Sequence, residues 1–232
     1  MKRAALALCA AALLAGSAAR AHIPAIESVA RAAADASRAQ GRNKPFAFAV
    51  ALRESAGAPP SAHGELLADP GGSARLELRH DDGLHERQIR GPGGLRGTRD
   101  GELEEAPRPF APPLWLLQAA TGGELLARAG ELGAAPGAIA LGYDGARDCY
   151  VIGAVSGGPA LWIDKDTYQV VRADLADGTK YRFLAWATRG GALLPGRIEI
   201  ETPSATFELE LTSAKPATPV TDAFAEDWLT AP

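Results

Sequence analysis

The chain has 232 residues, 47% of them hydrophobic, with 26 glycines, 17 prolines and a formal net charge of −4. That length suits one large β domain or two small ones, and the Gly and Pro content favours many turns over long helices. The acidic balance argues against nucleic acid as a partner, which would want a basic face, and against simple electrostatic adhesion to anionic lipid.

Met1-Lys2-Arg3 is a short basic start, and Ala4 to Ala19 carries no charge. That run is too short to span a bilayer comfortably, and Ala19-Arg20-Ala21 is an A-x-A cleavage site. A secretory signal peptide over residues 1–21 is expected, with the mature chain beginning at His22 as one domain over 22–232. The small-residue run ends in Ser17 without a following Cys, so no lipid anchor is expected. Loss of Lys2, Arg3 and Arg20 takes the formal charge from −4 to −7. With Cys9 in the leader, Cys149 is left alone, and its place in "CYVIGA" reads as a buried structural thiol in a strand.

His22 to Gln40 reads as a helix, with Ile23, Ile26, Val29, Ala30, Ala33 and Ser37 on a narrow apolar stripe. Gly41 and Pro45 end it. "FAFAVAL" then alternates, with Phe46, Phe48, Val50 and Leu52 on one face. The intervening alanines permit close packing, an expected seat for the first helix. "ELLADP" and "SARLELRH" are strands with Leu76 and Leu78 facing one way. "DDG" is a hairpin signal leading into "LHERQIRG", and "GLRGTRDGELEEA" carries a further short pair. From Phe110 the texture turns helical, with Pro112 and Pro113 at a helix start and Gly122-Gly123 between two short helices. "AIALGYDG", "RDCYVIGA" and "PALWIDK" are strands, and "TYQVVRADL" and "TKYRFLAWA" bracket a hairpin at "ADG". "LLPGRIEIE" and "ATFELELTS" form the last pair. A Pro-rich tail carries Phe224 as an apolar peg. Roughly ten or eleven alternating strands at this spacing predict one antiparallel sheet in a sandwich or barrel.

The order of features in "YVIGAVSGGPALWIDKDTYQVVRADLADGTKYRFLAW" and "LPGRIEIETPSATFELELTSAKPATPVTDAF" resembles the LolA/LolB-like superfamily of periplasmic lipoprotein carriers. A strand ends in a Trp-(apolar)-Asp-Lys turn, a Val-Arg strand follows, then a hairpin, "LPGRIEI", and a terminal aromatic in a Pro-rich tail. The likeness covers about residues 143–228. It implies a mainly β fold: a half-open antiparallel β barrel with an N-terminal amphipathic helix and short plug or lid helices. It also implies a periplasmic carrier that binds acyl chains of lipoproteins or other lipids, between an inner-membrane donor and an outer-membrane acceptor. The chain departs from the pattern in its Ala, Gly and Pro richness and in a longer charged section from Asp81 to Glu105.

A sheet must bury its apolar face. The helical cover is modest, so the concave face is expected to be only partly filled, leaving room for an apolar ligand. The candidate cavity residues are Phe46, Phe48, Val50, Leu76, Leu78, Leu114, Trp115, Leu117, Leu161, Ile163, Tyr181, Phe183, Ile198, Ile200, Phe207 and Leu209, with Leu114, Trp115 and Leu117 on the lid. Arg53, Arg172 and Arg182 are polar candidates, able to hold a lid carbonyl or a lipid headgroup if they point inward. No cofactor or metal is expected, and the chain is expected to be a monomer and not an enzyme. Asp164-Lys165-Asp166 reads as a charged turn rather than an acid/base pair. A copper site built from His22 with His63, His80 or His85 has no fixed spacing behind it. The rival reading is a sensor or interaction module of the same fold that binds a protein partner, since edge strands of an open barrel suit strand addition.

Overall fold

A computed structural model describes residues 23–218 and 222–231. The predicted signal peptide and His22 lie outside the described residues. The chain begins with α1 (Ile26–Ala39), followed by β1 (Phe46–Arg53), β2 (Ala62–Asp69), β3 (Ser73–His80), β4 (His85–Gly91), β5 (Gly94–Arg99) and β6 (Glu102–Leu103). A 3-10 helix (Leu114–Leu117) and α2 (Gly122–Glu131) come next. Then follow β7 (Ile139–Tyr143), β8 (Asp148–Gly153), β9 (Ala160–Asp164), β10 (Val170–Asp174), β11 (Lys180–Leu184), β12 (Ala187–Arg189), β13 (Ala192–Leu194), β14 (Arg197–Glu201), β15 (Thr206–Pro216) and α3 (Asp227–Thr230).

Thirteen strands form one sheet in the order β6-β5-β4-β3-β2-β1-β15-β14-β11-β10-β9-β8-β7. The sheet is antiparallel and does not close into a barrel. It curls strongly. β4 and β11 are six strand steps apart, about 29 Å across a flat sheet. Yet Arg90 on β4 donates to the Tyr181 hydroxyl on β11 at 2.7 Å. The mainly β, half-open architecture is as expected. The strand number exceeds the expected ten or eleven. β12 and β13 form a separate hairpin that sequence reading left undivided. Its two-residue turn is Gly190-Gly191, both at positive φ, a turn type that favours glycine at both positions.

Alternation sorts the side chains. Phe46, Phe48, Val50 and Leu52 on β1, Leu76 and Leu78 on β3, Phe207, Leu209 and Leu211 on β15, and their neighbours line the concave side in one continuous core. The opposite, convex face is mostly charged, apart from a small cluster of Cys149, Val151, Ala160, Trp162 and Val171. Burial, reinforced by Asp144 and Asp164, pushes the Cys149 thiol up to about 12. The Ala face of β1 does not seat the first helix. Ala49 is exposed, and Val29, Ala30 and Ala33 of α1 join the core on the phenylalanine side.

The glycine pair opens α2 rather than separating it from the preceding turn. Thr121 caps the helix by accepting from Glu124 N, and the Glu124 carboxylate reaches back to accept from Ala120 N–H, one residue before the cap. Gly122 is also where α2 meets α1: a Cβ there would lie 2.7 Å from Arg31 N. In the tail, Phe224 is only half-buried. The buried tail residues are Ala223 and Leu229. Arg75, Arg87 and Thr98 donate to the carbonyls of Ala223, Trp228 and Leu229, laying the tail along β3 to β5.

Candidate functional site

All sixteen apolar candidates are buried in the concave core, Phe207 being the most exposed at 8%. The space they enclose is filled. Phe110, Ala111, the 3-10 helix and Leu125 of α2 pack down onto the sheet, with the buried stripe of α1 beside them. Partial cover, the expectation from the modest helical content, is therefore corrected. One turn of 3-10 helix carries Leu114, Trp115, Leu116 and Leu117, all buried, and these bulky side chains supply the missing volume.

This lid is held by main-chain carbonyls. Ser37 Oγ on α1 and Arg42 Nε both donate to Leu117 O, at 2.7 and 3.0 Å. Arg128 on α2 donates to Trp115 O at 2.8 Å and also bonds Pro70 O and Glu124. Arg90 donates to Ala111 O at 2.7 Å, and the Tyr181 hydroxyl donates to Pro109 O at 2.7 Å. Gln88 accepts from Ala111 N–H and donates to Arg108 O. Buried lid carbonyls would otherwise be unsatisfied at a cost of about 1–3 kcal/mol each.

Electrostatics agree with a latch. Burial lowers Arg42 to about 10, leaving the guanidinium charged at neutral pH. It also packs over the Trp186 ring. Burial lowers Arg128 too, offset in part by Glu124. Burial pushes Tyr181 up to about 12, so its hydroxyl keeps the proton it donates.

The three arginines singled out from sequence do not perform this role. Arg53 pairs with Glu208 and Glu210, Arg182 lies 3.8 Å from Glu199, and Arg172 pairs with Asp174 while packing over Trp162. All three belong to the convex face. The inward arginines are Arg42, Arg90 and Arg128. For Arg90 a signal existed: "HERQIRG" lacks a clean apolar face, because Glu86, Gln88 and Arg90 take the buried positions. Asp164 makes a turn. Burial raises its carboxyl, but hydrogen bonds from Thr167 and Asp166 and the charge of Arg147 outweigh this and hold it below the ordinary carboxylate range. His63 is exposed, His80 is half-buried with its side chain set beside Glu86, and His85 contacts Glu77. Among the described residues no group of three His, Cys, Asp or Glu is placed to hold a metal, and no helix is long and apolar enough to cross a membrane.

No family model matches the sequence, and no curated protein does. Solved structures do. A LolA superfamily protein from Nitrosomonas europaea aligns at TM-score 0.54 and 14% identity, covering 89% of this chain and 100% of that one. A domain described as an outer membrane lipoprotein-sorting protein, from Vibrio parahaemolyticus, aligns at TM-score 0.50 and 11% identity, again over 89% and 100%. At such low identity the shared property is architecture. A strongly curled open sheet, closed on its concave side by an arginine-latched lid, has the fold of LolA superfamily proteins.

Proposed function

We propose that this chain is a periplasmic carrier that binds acyl chains of lipoproteins or other lipids on its concave face, for transfer toward the outer membrane, and that it performs no covalent chemistry. The observation that carries this is the lid. A large apolar surface is covered by a single 3-10 turn and two helices, with arginines bonding the lid segment through its carbonyls. The cover therefore releases as a unit when those bonds are exchanged. Burial of each CH₂ contributes about 0.8 kcal/mol, so an acyl chain of ordinary length can compete with the lid for the same surface. The closed state lowers the apparent affinity, which suits a protein that must also release its load. A leader directing export, and donor and acceptor partners at the two membranes, belong to the same proposal.

The test is native mass spectrometry of protein purified from the periplasm, with lipid extraction of what co-purifies. Bound phospholipid or acylated peptide supports the carrier. A clean apo mass, together with no uptake of a fluorescent fatty-acid ester, overturns it.

A second reading, a protein-binding module, has its own observation. β7 is an edge strand with Leu141 42% and Tyr143 65% exposed. An extended partner segment adding to that edge would be captured by a photocrosslinker placed at Tyr143.

A further inference from the structure

Resting on the carrier reading, the geometry points to where the chain enters. We infer that an acyl chain joined through an ester or amide carbonyl threads between the β4–β5 turn and the β10–β11 turn, with Trp115 as the gate. A pocket of about 320 Å³ opens there. Its walls include Arg90 and Leu95 on one side, Leu132 at the end of α2, and Leu175 on the other side, and Trp115 of the lid lines it as well. Leu175 and Trp115 belong to the concave core, and Leu95 and Leu132 pack against it. One side of the pocket wall is therefore apolar and continues into the filled interior, with Arg90 set in the wall and Glu131 and Asp177 at the rim. An aliphatic chain can follow the leucine side of that wall past the charged rim.

Two polar groups identify the gate and the ligand. The Trp115 indole Nε1 is buried and has no hydrogen-bond partner. An orphan donor of this kind destabilises the closed ring position, because turning outward would give the N–H a partner. Arg90 is 3% exposed. Its Nε and Nη2 are engaged by Ala111 O and Tyr181 Oη. It has no carboxylate partner among the described residues, and its Nη1 donates to no protein group there. A guanidinium donor on the wall of an apolar pocket suits a carbonyl at the head of the chain. Glu131 and Asp177 on the rim disfavour a free carboxylate at that position.

The experiment follows uptake of the methyl ester of pyrene-dodecanoic acid by stopped-flow fluorescence. Wild type is compared with Leu95→Glu and Leu132→Glu, which set a charge in the pocket at half-buried positions. Leu126→Glu, in the cleft between α1 and α2, is the control. Circular dichroism and melting confirm that each variant folds. The portal predicts that uptake slows by about tenfold or more in the two pocket variants, since a carboxylate there must be desolvated as the chain passes, and little in the control. Equal slowing in all three, or none, overturns the portal while leaving the carrier intact. No uptake by wild type overturns both. Dodecylpyrene tests the carbonyl: weaker retention than the ester, with the difference lost in Arg90→Met, supports its recognition, and equal retention removes it.

Discussion

Two sets of arginines, one on each face of the sheet, are used in opposite ways. On the convex face Arg53, Arg172 and Arg182 meet carboxylates, the Arg53 and Arg182 pairs open to solvent and the Arg172–Asp174 pair largely covered. On the concave side Arg42, Arg90 and Arg128 are almost fully buried and bond main-chain carbonyls of the lid. An exposed ion pair is weak because water and salt screen it. A buried guanidinium bonded to carbonyls carries a desolvation penalty, and only the lid geometry offsets that penalty. The same residue type is therefore nearly neutral in the exposed pairs and dependent on the lid carbonyls where it is buried.

Removing Arg128 breaks the comparison most severely. Arg128→Met strips the Trp115 and Pro70 carbonyls of their donor and leaves Glu124 without its cation. A loss of roughly 2–4 kcal/mol is expected in urea unfolding. An unchanged midpoint would show that these bonds contribute nothing to the free energy of folding. Arg42→Met should lose less, about 1–2 kcal/mol, because Ser37 still serves the Leu117 carbonyl and a desolvated charge is relieved. Its more telling effect is on binding. If Arg42 stabilises the closed lid, the variant should hold an acyl ester up to about tenfold more tightly, since 1.4 kcal/mol removed from closure returns as affinity. Titration with the fluorescent ester reads this directly. A variant that is less stable and binds no better would place Arg42 in the fold alone.

Asp164 sharpens the comparison at intermediate size. Its carboxylate accepts from Asp166 N, Thr167 N and Thr167 Oγ1 and so shapes the β9–β10 turn. Folding holds this carboxyl below its unfolded value. Its contribution is therefore complete above the ordinary carboxylate pKa, near pH 4, and is lost as pH falls through the lower folded value. The stability gap between wild type and Asp164→Asn should be about 1 kcal/mol and constant around neutral pH, closing only in acid. A gap that widened as pH fell would contradict the assignment.

Much of this was readable because charge and bulk alternate. Ile198 and Ile200 against Glu199, and Phe207 and Leu209 against Glu208, admit only one face as interior, and all are buried as expected. Arginine direction was readable only where apolar neighbours flank the arginine. Arg182 sits between Tyr181 and Phe183, so its outward face follows from its neighbours. Arg90 sits beside Ile89, the apolar residue of β4, whose alternation would turn Arg90 outward, and only a carbonyl arriving from Ala111, 21 residues away, defines its role. Arg42 lies in no strand at all. The filling of the cavity was equally hidden, since four consecutive bulky residues predict burial but not the shape against which they pack.

The smallest expected effect completes the contrast. Arg182 lies 3.8 Å from Glu199, and both side chains remain about a third exposed. Side-chain entropy and screening oppose what attraction there is, so Arg182→Ala should shift stability by under about 0.5 kcal/mol. The residual should vanish at 1 M salt, where screening reaches about 3 Å. Arg128→Met, whose cost comes from unsatisfied buried carbonyls rather than from long-range charge, should keep most of its effect in the same salt. Parallel urea series at low and high salt on the two variants separate these cases. If the Arg128 penalty also disappears with salt, water reaches the latch, and the lid is more open than its hydrogen bonds indicate.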